Sequence, residues 1–247
     1  MIDRRAELLK EKLAEKLAEH LGNSKEFIAA LKIVRENSEG KIWLIGGMVY
    51  RPLANFLYDT PIPSIDLDFV INKGHTHYLE PYGDPYACND IHLPEEWELR
   101  SHYGESRFVN TQEGLSLKID IVQLQNFHST QSRDLPPTLD NFLNGTPLTI
   151  QSIAYDIEKG QIIGDIGLVA LYEQKISVNY LNEARYFAHK KGTDLHSMIR
   201  EKAASLGFEA IYPPVLDSPE GNLSFPPGER GCVSVLVETS GLSTLDE

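Results

Sequence analysis

The feature that most constrains the fold is an apolar run that ends in two glycines. Ile42-Trp43-Leu44-Ile45 has the composition of a buried strand, and Gly46-Gly47 follow it directly. The segment 49–58 then has the composition of a helix. Backbone N–H groups at such a junction can approach a phosphate, because glycine has no Cβ and the helix dipole favours an anion. The junction therefore predicts a phosphate-binding turn.

Three aspartates follow in two further strand-like segments. Asp66 and Asp68 alternate with apolar residues in the segment 65–71, so we expect both side chains on one face of a strand. Asp120 stands inside another apolar run, where a core residue would be usual. Neighbouring carboxylates repel one another unless a cation lies between them, and their hard oxygens suit Mg²⁺. The pattern predicts a metal site formed by the three aspartates.

This order of elements resembles the polymerase-β-like nucleotidyltransferases. The closest resemblance is to the head domain of tRNA CCA-adding enzymes and bacterial poly(A) polymerases, whose signature runs Gly-Gly-x-Val-Arg-Asp and then Asp-x-Asp. The segments 148–156 and 160–165 are similar to the family's Arg-Arg-Asp-Phe-Thr-Ile-Asn-Ala segment and the hairpin after it. The segment 183–188 is similar to its first neck helix, so the resemblance extends to about residue 192.

The resemblance implies a fold and an activity. The fold would be α+β, with a mixed sheet flanked by helices and a truncated, neck-like helical region. The activity would be transfer of a nucleoside monophosphate from an NTP to a hydroxyl acceptor. Asp66 and Asp68 would hold two Mg²⁺ ions, and Asp120 would share the ion that activates the acceptor. Gly46 and Gly47 would hold the β- and γ-phosphates.

The nucleotide contacts depart from the family pattern. Tyr50-Arg51 replaces the Arg-Asp pair after the glycines, so Arg51 is the candidate charge partner for phosphate. Gly145, Thr146 and Gln151 stand where the family has two arginines and an asparagine that help to hold the nucleotide. Selection among NTPs would then be weaker than in the family, or would rest on residues such as Gln151 and Arg185.

The chain divides into four predicted regions. They are an N-terminal helical cap (1–40), the nucleotidyltransferase core (41–130), a head extension with neck-like helices (131–210) and a Pro/Gly/Ser-rich tail (211–247).

Two helices are predicted in the cap. Leucines at 9, 13, 17 and 21 give the first helix an apolar stripe, and Asn23-Ser24-Lys25-Glu26 is typical of the start of the next. The stripe of the second helix is expected at these positions: Phe27, Ile28, Leu31 and Val34.

Later segments give further expectations. The segments 97–109 and 115–124 predict two antiparallel strands that bring Asp120 back towards the other aspartates, and 233–237 predicts one short strand in the tail. The histidines within 75–95 fit no tetrahedral zinc spacing, so this segment is interpreted as an insertion beside the site.

Charge and cysteine content bear on partners and compartment. A formal net charge of −13 disfavours RNA, and the basic clusters are modest, so we expect no tight binding of tRNA. The sequence contains no long apolar run that predicts a membrane span. Cys88 and Cys232 form neither a disulfide framework nor a zinc motif, so a cytoplasmic location is expected.

Each motif also has an ordinary structural explanation. Two glycines after a strand often form a simple turn, Asp66 and Asp68 could belong to a solvated strand face, and Asp120 could pair with Lys118 or an arginine. Three hypotheses therefore stay open: an RNA nucleotidyltransferase, an enzyme that nucleotidylates a small molecule or a protein, and a non-catalytic nucleotide-binding protein.

Overall fold

A mixed β-sheet with helices on both faces forms the centre of the fold. The computed structural model describes residues 4–63, 66–74, 97–102, 105–110 and 118–213. The segment 75–95, the strand expected at 233–237 and nearly all of the tail lie outside the described residues.

Eight helices and nine strands lie in the described ranges. The helices are α1 (Arg4–Gly22), α2 (Lys25–Glu36), α3 (Gly47–Tyr58), α4 (His128–Ser132), α5 (Leu139–Asn144), α6 (Asp165–Glu173), α7 (Leu181–Lys190) and α8 (Leu195–Ala204). The strands are β1 (Ser38–Ile45), β2 (Leu67–Gly74), β3 (Trp97–His102), β4 (Glu105–Asn110), β5 (Lys118–Gln123), β6 (Ala154–Asp156), β7 (Gln161–Ile163), β8 (Lys175–Ile176) and β9 (Glu209–Ala210). Two 3₁₀ turns cover Leu124–Asn126 and Thr149–Gln151.

Seven strands form the main sheet in the order β3-β4-β5-β2-β1-β6-β7, and β8 and β9 form a separate parallel pair. All neighbours in the main sheet are antiparallel except β2 and β5. The predicted α+β fold with a mixed sheet and flanking helices is confirmed. One expectation was wrong in detail, because 97–109 forms the hairpin β3–β4 in place of one strand.

Two clusters of buried side chains lie on opposite faces of the sheet. Strand residues such as Leu44, Phe69 and Ile121 belong to the larger cluster, with α1, α2, α3, α6 and α8. Trp43 and Val70, one position away on the same strands, belong to the smaller cluster with residues of α5 and the turn before α4. Period-two alternation along the strands thus divides the apolar residues between the faces.

The N-terminal helices form as predicted, with a different buried stripe. Ser24 caps α2, since its Oγ accepts a hydrogen bond of 3.1 Å from the Phe27 N–H, an interaction that stabilises a helix by about 1 kcal/mol. The buried residues of α2 are Phe27, Ala30, Ile33 and Val34. Ile28 is 54% exposed and Leu9 of α1 is 39% exposed, so the expected stripes were wrong at these positions.

Candidate active site

Two of the predicted carboxylates lie side by side at one end of the sheet. Asp68 of β2 is the direct register partner of Asp120 of β5, and Ile45, the last residue of β1, is opposite Asp68 on its other side. Asp66 immediately precedes β2 and is two positions from Asp68. Sequence alternation and strand pairing together bring the aspartates to the end of β1, just before the two glycines.

The two paired aspartates share one sheet face. Val70 and Val122 stand two positions after Asp68 and Asp120, and both pack in the smaller core cluster. Phe69 and Ile121, the residues in between, pack in the larger cluster on the opposite face. Since side chains two apart on a strand point the same way, both carboxylates lie on the face of the smaller cluster. Both residues are only partly buried, so water and ligands can reach this end of the face.

Gly46 and Asp68 are in close contact. Gly46 has φ +68° and ψ −149°, a conformation that side-chain-bearing residues rarely adopt. A Cβ at this position would overlap the Asp68 Oδ2 and would lie 3.1 Å from its Cγ. The glycine is therefore required for two reasons, since it makes the turn into α3 and leaves room for the carboxylate.

The start of α3 is open to an anion. No side chain of the described residues caps it at Gly46, and the first intrahelical bonds come from the N–H groups of Val49 and Tyr50 to the Gly46 carbonyl, at 3.1 and 3.3 Å. Amides in the first turn of a helix have no intrahelical acceptor, and the helix dipole places partial positive charge there. The turn thus presents backbone donors beside Asp68.

The aspartates do not form a ready-made metal cluster. Within the part of the chain that the structure describes, no three His, Cys, Asp or Glu side chains gather as a metal site. The structure pairs Asp68 with Asp120, whereas Asp66 is a further carboxylate close by in sequence. Mg²⁺ commonly binds one or two carboxylates together with substrate phosphates, so the oxygen donors present fit that cation when a nucleotide supplies the remaining ligands.

A basic residue stands close to Asp120 in sequence. Lys118 lies two positions earlier on the same strand, and the backbone register of β4 and β5 places position 107 opposite Asp120. A cationic neighbour is the ordinary explanation for a carboxylate within a sheet. Lys118 therefore remains the ordinary structural explanation for Asp120.

The guanidinium of Arg51, the candidate phosphate partner, has hydrogen-bond acceptors within the protein. It is buried, and its two terminal nitrogens donate to the Ser205 carbonyl and hydroxyl at 3.2 and 3.1 Å. These bonds join α3 to the residue that follows α8. The sequence suggested Arg51 as a phosphate partner, but the contacts of its guanidinium in the described structure fix one helix against another.

The other suggested nucleotide contacts lie in different surroundings. Gln151 is partly buried at the end of a 3₁₀ turn, and Arg185 is exposed on α7. Gly145 and Thr146 are both buried: the Thr146 hydroxyl donates to the Leu143 carbonyl at 2.9 Å. A Cβ on Gly145 would overlap the Ser129 hydroxyl. These two positions are occupied by tight packing, which explains why large side chains are missing there.

Sequence reasoning did not assign two lysines to the site. Lys202 of α8 donates a hydrogen bond of 2.9 Å to the hydroxyl of Tyr50, in the first turn of α3. Lys191 directly follows α7, and burial together with the charge of Lys202 lowers its pKa. The sequence showed these lysines only as basic residues on helical segments, since the contacts join positions more than a hundred residues apart.

A contact between a buried carboxylate and a histidine was also missed. Glu183 of α7 is fully buried, and its Oε2 lies 2.8 Å from the Nδ1 of His128 in α4. The His128 ring stacks on Tyr186 at a centroid distance of 4.0 Å. Among the described residues, the Glu183 Oε1 has no hydrogen-bond partner. A buried polar side chain is costly without a hydrogen-bond partner, so this contact helps to fix α7 against α4.

Known proteins are similar to this chain in structure only. No protein-family model and no curated protein matches its sequence. A Bacillus stearothermophilus CCA-adding enzyme in complex with CTP matches at 20% identity and a TM-score of 0.43, covering 76% of this chain and 41% of the enzyme. A Thermotoga maritima CCA-adding enzyme complexed with tRNA matches at 16% identity and a TM-score of 0.42, covering 87% and 40%. A tRNA nucleotidyltransferase complexed with a primer tRNA and an ATP analog matches at 17% identity and 0.34, covering 68% and 47%.

These neighbours are the class of protein that the sequence motifs resemble. The chain spans less than half of the length of each of them. Similarity at this level assigns no activity, substrate or partner to the chain. In the described ranges, no helix has the length and apolar character needed to cross a membrane.

Proposed function

We propose that the chain is a metal-dependent nucleotidyltransferase that transfers a nucleoside monophosphate from an NTP to a hydroxyl acceptor. The observation that carries the proposal is the arrangement of Asp68 between Asp120 and Gly46: two paired carboxylates directly beside a glycine turn that opens a helix. A carboxylate pair alone would suit a cation, and the turn alone would suit an anion. Their contact favours a metal–polyphosphate complex, which carries both charges.

The carboxylates and the turn have separate roles in the proposal. Asp66, Asp68 and Asp120 would hold Mg²⁺, which when bound neutralises charge on the phosphates. The backbone N–H groups after Gly46 would bind the β- and γ-phosphates and hold the α-phosphorus in line with the acceptor.

The transfer step balances as a simple displacement. The acceptor oxygen forms a bond to the α-phosphorus, the bond from that phosphorus to the α–β bridging oxygen breaks, and pyrophosphate leaves. The hydroxyl proton passes to a carboxylate, and we assign this role to Asp120. Asp120 is partly exposed and is the register partner of Asp68.

Charge favours an acceptor other than RNA. The net charge of −13 repels the many phosphates of an RNA chain at long range. The repulsion is weaker for an NTP, because bound Mg²⁺ neutralises part of its charge. A small molecule or a protein is therefore the favoured acceptor class, and RNA is the second candidate.

The proposal is tested by measuring pyrophosphate release in the presence of Mg²⁺. Each of the four NTPs is combined in turn with RNA, protein or small-molecule acceptors. Changing Asp68→Asn or Asp120→Asn is expected to lower the rate by about 100-fold or more without unfolding the protein. Asp165→Asn is the matched control, since this carboxylate of α6 has a side chain 91% exposed. Wild-type protein that releases no pyrophosphate under any condition, or full activity in both site variants, contradicts the proposal.

A further inference from the structure

A fully buried carboxylate of α7 contacts a partly exposed histidine of α4. The Oε2 of Glu183 lies 2.8 Å from the Nδ1 of His128, and the side chains are 0% and 35% exposed, respectively. The imidazole stacks on the ring of Tyr186 at an interplanar angle of 13°. The histidine therefore has a fixed orientation towards the carboxylate, and its exposed part can exchange a proton with water.

The protonation of this pair decides whether a net charge is buried. Among the residues that the structure describes, the Oε1 of Glu183 has no hydrogen-bond partner. A buried ionised carboxylate that is hydrogen-bonded only through Oε2 to a neutral imidazole is costly. One additional proton on the pair cancels the negative charge at a contact distance of 2.8 Å. The packed arrangement of α4 and α7 therefore favours the pair with this proton bound.

The neighbouring cations contact other groups. The ammonium of Lys190 lies 3.5 Å from the Tyr186 hydroxyl, and the guanidinium of Arg133, directly after α4, lies 4.5 Å from the centre of the Tyr180 ring. Lys202 of α8 bonds to a hydroxyl of α3. These cations oppose a charged imidazole, but the carboxylate in direct contact favours it more strongly because the Coulomb energy falls with distance. The other charged or titratable groups of α5, α7 and α8 are exposed: Asp140, Arg185, His189, His196, Arg200 and Glu201.

We propose that His128 and Glu183 form a pH-dependent latch, which takes up one proton and then holds α7 against α4. Histidine is the side chain that ordinarily gains or loses a proton between about pH 5 and 8. Since the packed pair binds this proton better than the separated side chains do, the latch is strongest at the acidic end of that range and weakens as the pH rises. The latch acts on the docking of the helical region and is separate from nucleotidyl transfer.

Amide hydrogen exchange tests the latch without nucleotide or metal. Exchange of the α7 amides is measured at pH 6 and pH 8 and corrected for the intrinsic chemical rate. In the wild type, protection of these amides is expected to be about tenfold higher at pH 6. Glu183→Gln keeps the shape of the side chain without its charge, so its protection is expected to be nearly equal at the two pH values. Glu173→Gln is the matched control, because this carboxylate at the end of α6 is exposed, and it is expected to keep the wild-type difference.

An NMR titration of the imidazole rings gives a second measurement. The midpoint pH of the His128 ring is expected to fall in Glu183→Gln. The ring of His196, which is exposed and lies 4.9 Å from the Tyr212 ring, is expected to titrate at the same pH in both proteins. His128→Gln changes the partly exposed member of the pair, and it replaces Glu183→Gln in the exchange experiment if that variant does not fold. It is likewise expected to lose the pH difference in α7.

The outcomes either support or overturn the latch. A pH difference in α7 that is present in the wild type and in Glu173→Gln, and absent from the variants of the pair, supports it. Equal protection at both pH values in the wild type overturns it. A difference that persists in Glu183→Gln or His128→Gln, or a His128 midpoint that Glu183→Gln does not move, overturns it as well. All of these results are independent of transfer from NTPs, so the proposed function is tested separately.

Discussion

At the scale of single residues, Gly46 and Asp68 depend on each other. The carboxylate lies where the Cβ of any other residue at 46 would be, and the backbone there has φ +68°. A substitution at Gly46 therefore acts on the fold through backbone strain and on the site through displacement of Asp68. The two effects can be separated, since the chain contains another glycine with nearly the same positive φ and free space around it.

We expect Gly46→Ala to abolish transfer and to lower the free energy of unfolding by about 1–2 kcal/mol from backbone strain alone. The matched control is Gly207→Ala, where φ is +69° and a Cβ would meet no atom within 4 Å. The control is expected to show the same kind of destabilisation with transfer retained. Denaturant unfolding and pyrophosphate release measure the two effects, and full activity in Gly46→Ala would show that Asp68 does not need its present position.

Local patterns predicted some site residues and missed others for a physical reason. Gly46, Asp68 and Asp120 could be found because strand alternation and a glycine turn are short-range signals, and the structure brings these residues together. Lys202 gave no such signal, since its partner Tyr50 is 152 positions away. The contacts of Arg51 were likewise hidden, because a bond to a helix end depends on tertiary packing.

At the scale of elements, hydrogen-bonding signals were more informative than apolar stripes. The cap at Ser24 was predicted correctly because capping needs only residues three apart. Ile28 was misassigned to the buried face of α2, because the core contacts Ala30 and Ile33 in its place and only packing determines how a helix is rotated. The sequence predicted one strand over 97–109, where the structure has the two strands of the hairpin β3–β4.

The helix α8, which carries Lys202, begins at a titratable cap. The Asp194 carboxylate accepts hydrogen bonds from the Ser197 N–H at 2.8 Å and from its hydroxyl at 2.7 Å. These bonds favour the charged form and lower the pKa of Asp194 below its ordinary value. A lowered pKa in the folded state means that the cap stabilises α8 above the ordinary aspartate pKa and that this contribution is lost as the pH falls through the lowered value.

We expect acid to weaken α8 in the wild type and to weaken it less in Asp194→Asn. Asparagine keeps the capping acceptor without a titrating proton, so the variant should match the wild type near neutral pH and differ below about pH 4. Asp194→Ala should lower Tm by a few degrees at neutral pH, because no acceptor remains. Thermal unfolding and amide exchange of α8 across this pH range measure the effect. Equal acid sensitivity in the wild type and Asp194→Asn would rule out the cap as its source.

At the scale of the whole molecule, the sheet joins segments that are far apart in sequence. β6 of the segment that resembles the family's later motifs pairs with β1, and β2 pairs with β5 across a long connection. The last helices contact α3 through the bonds of Arg51 to Ser205 and of Lys202 to Tyr50. The site is therefore a property of the whole arrangement.

The last prediction is that RNA binds weakly and with a shallow dependence on salt. The exposed basic residues of α7 and α8, such as Arg185 and Arg200, can neutralise only a few phosphates, while the net charge of −13 opposes approach. Because the slope of log affinity against log salt is about −0.7 per phosphate contact for single strands, a handful of contacts gives a small slope and little affinity near 0.15 M salt.

Fluorescence anisotropy with a labelled tRNA over a salt series measures both the affinity and its salt dependence, with Arg185→Glu and Arg200→Glu together as the charge-reversal variant. Tight binding at that salt, unaffected by the reversal, would contradict the prediction and make RNA the better acceptor, since the phosphates would then be held by a surface other than these helices.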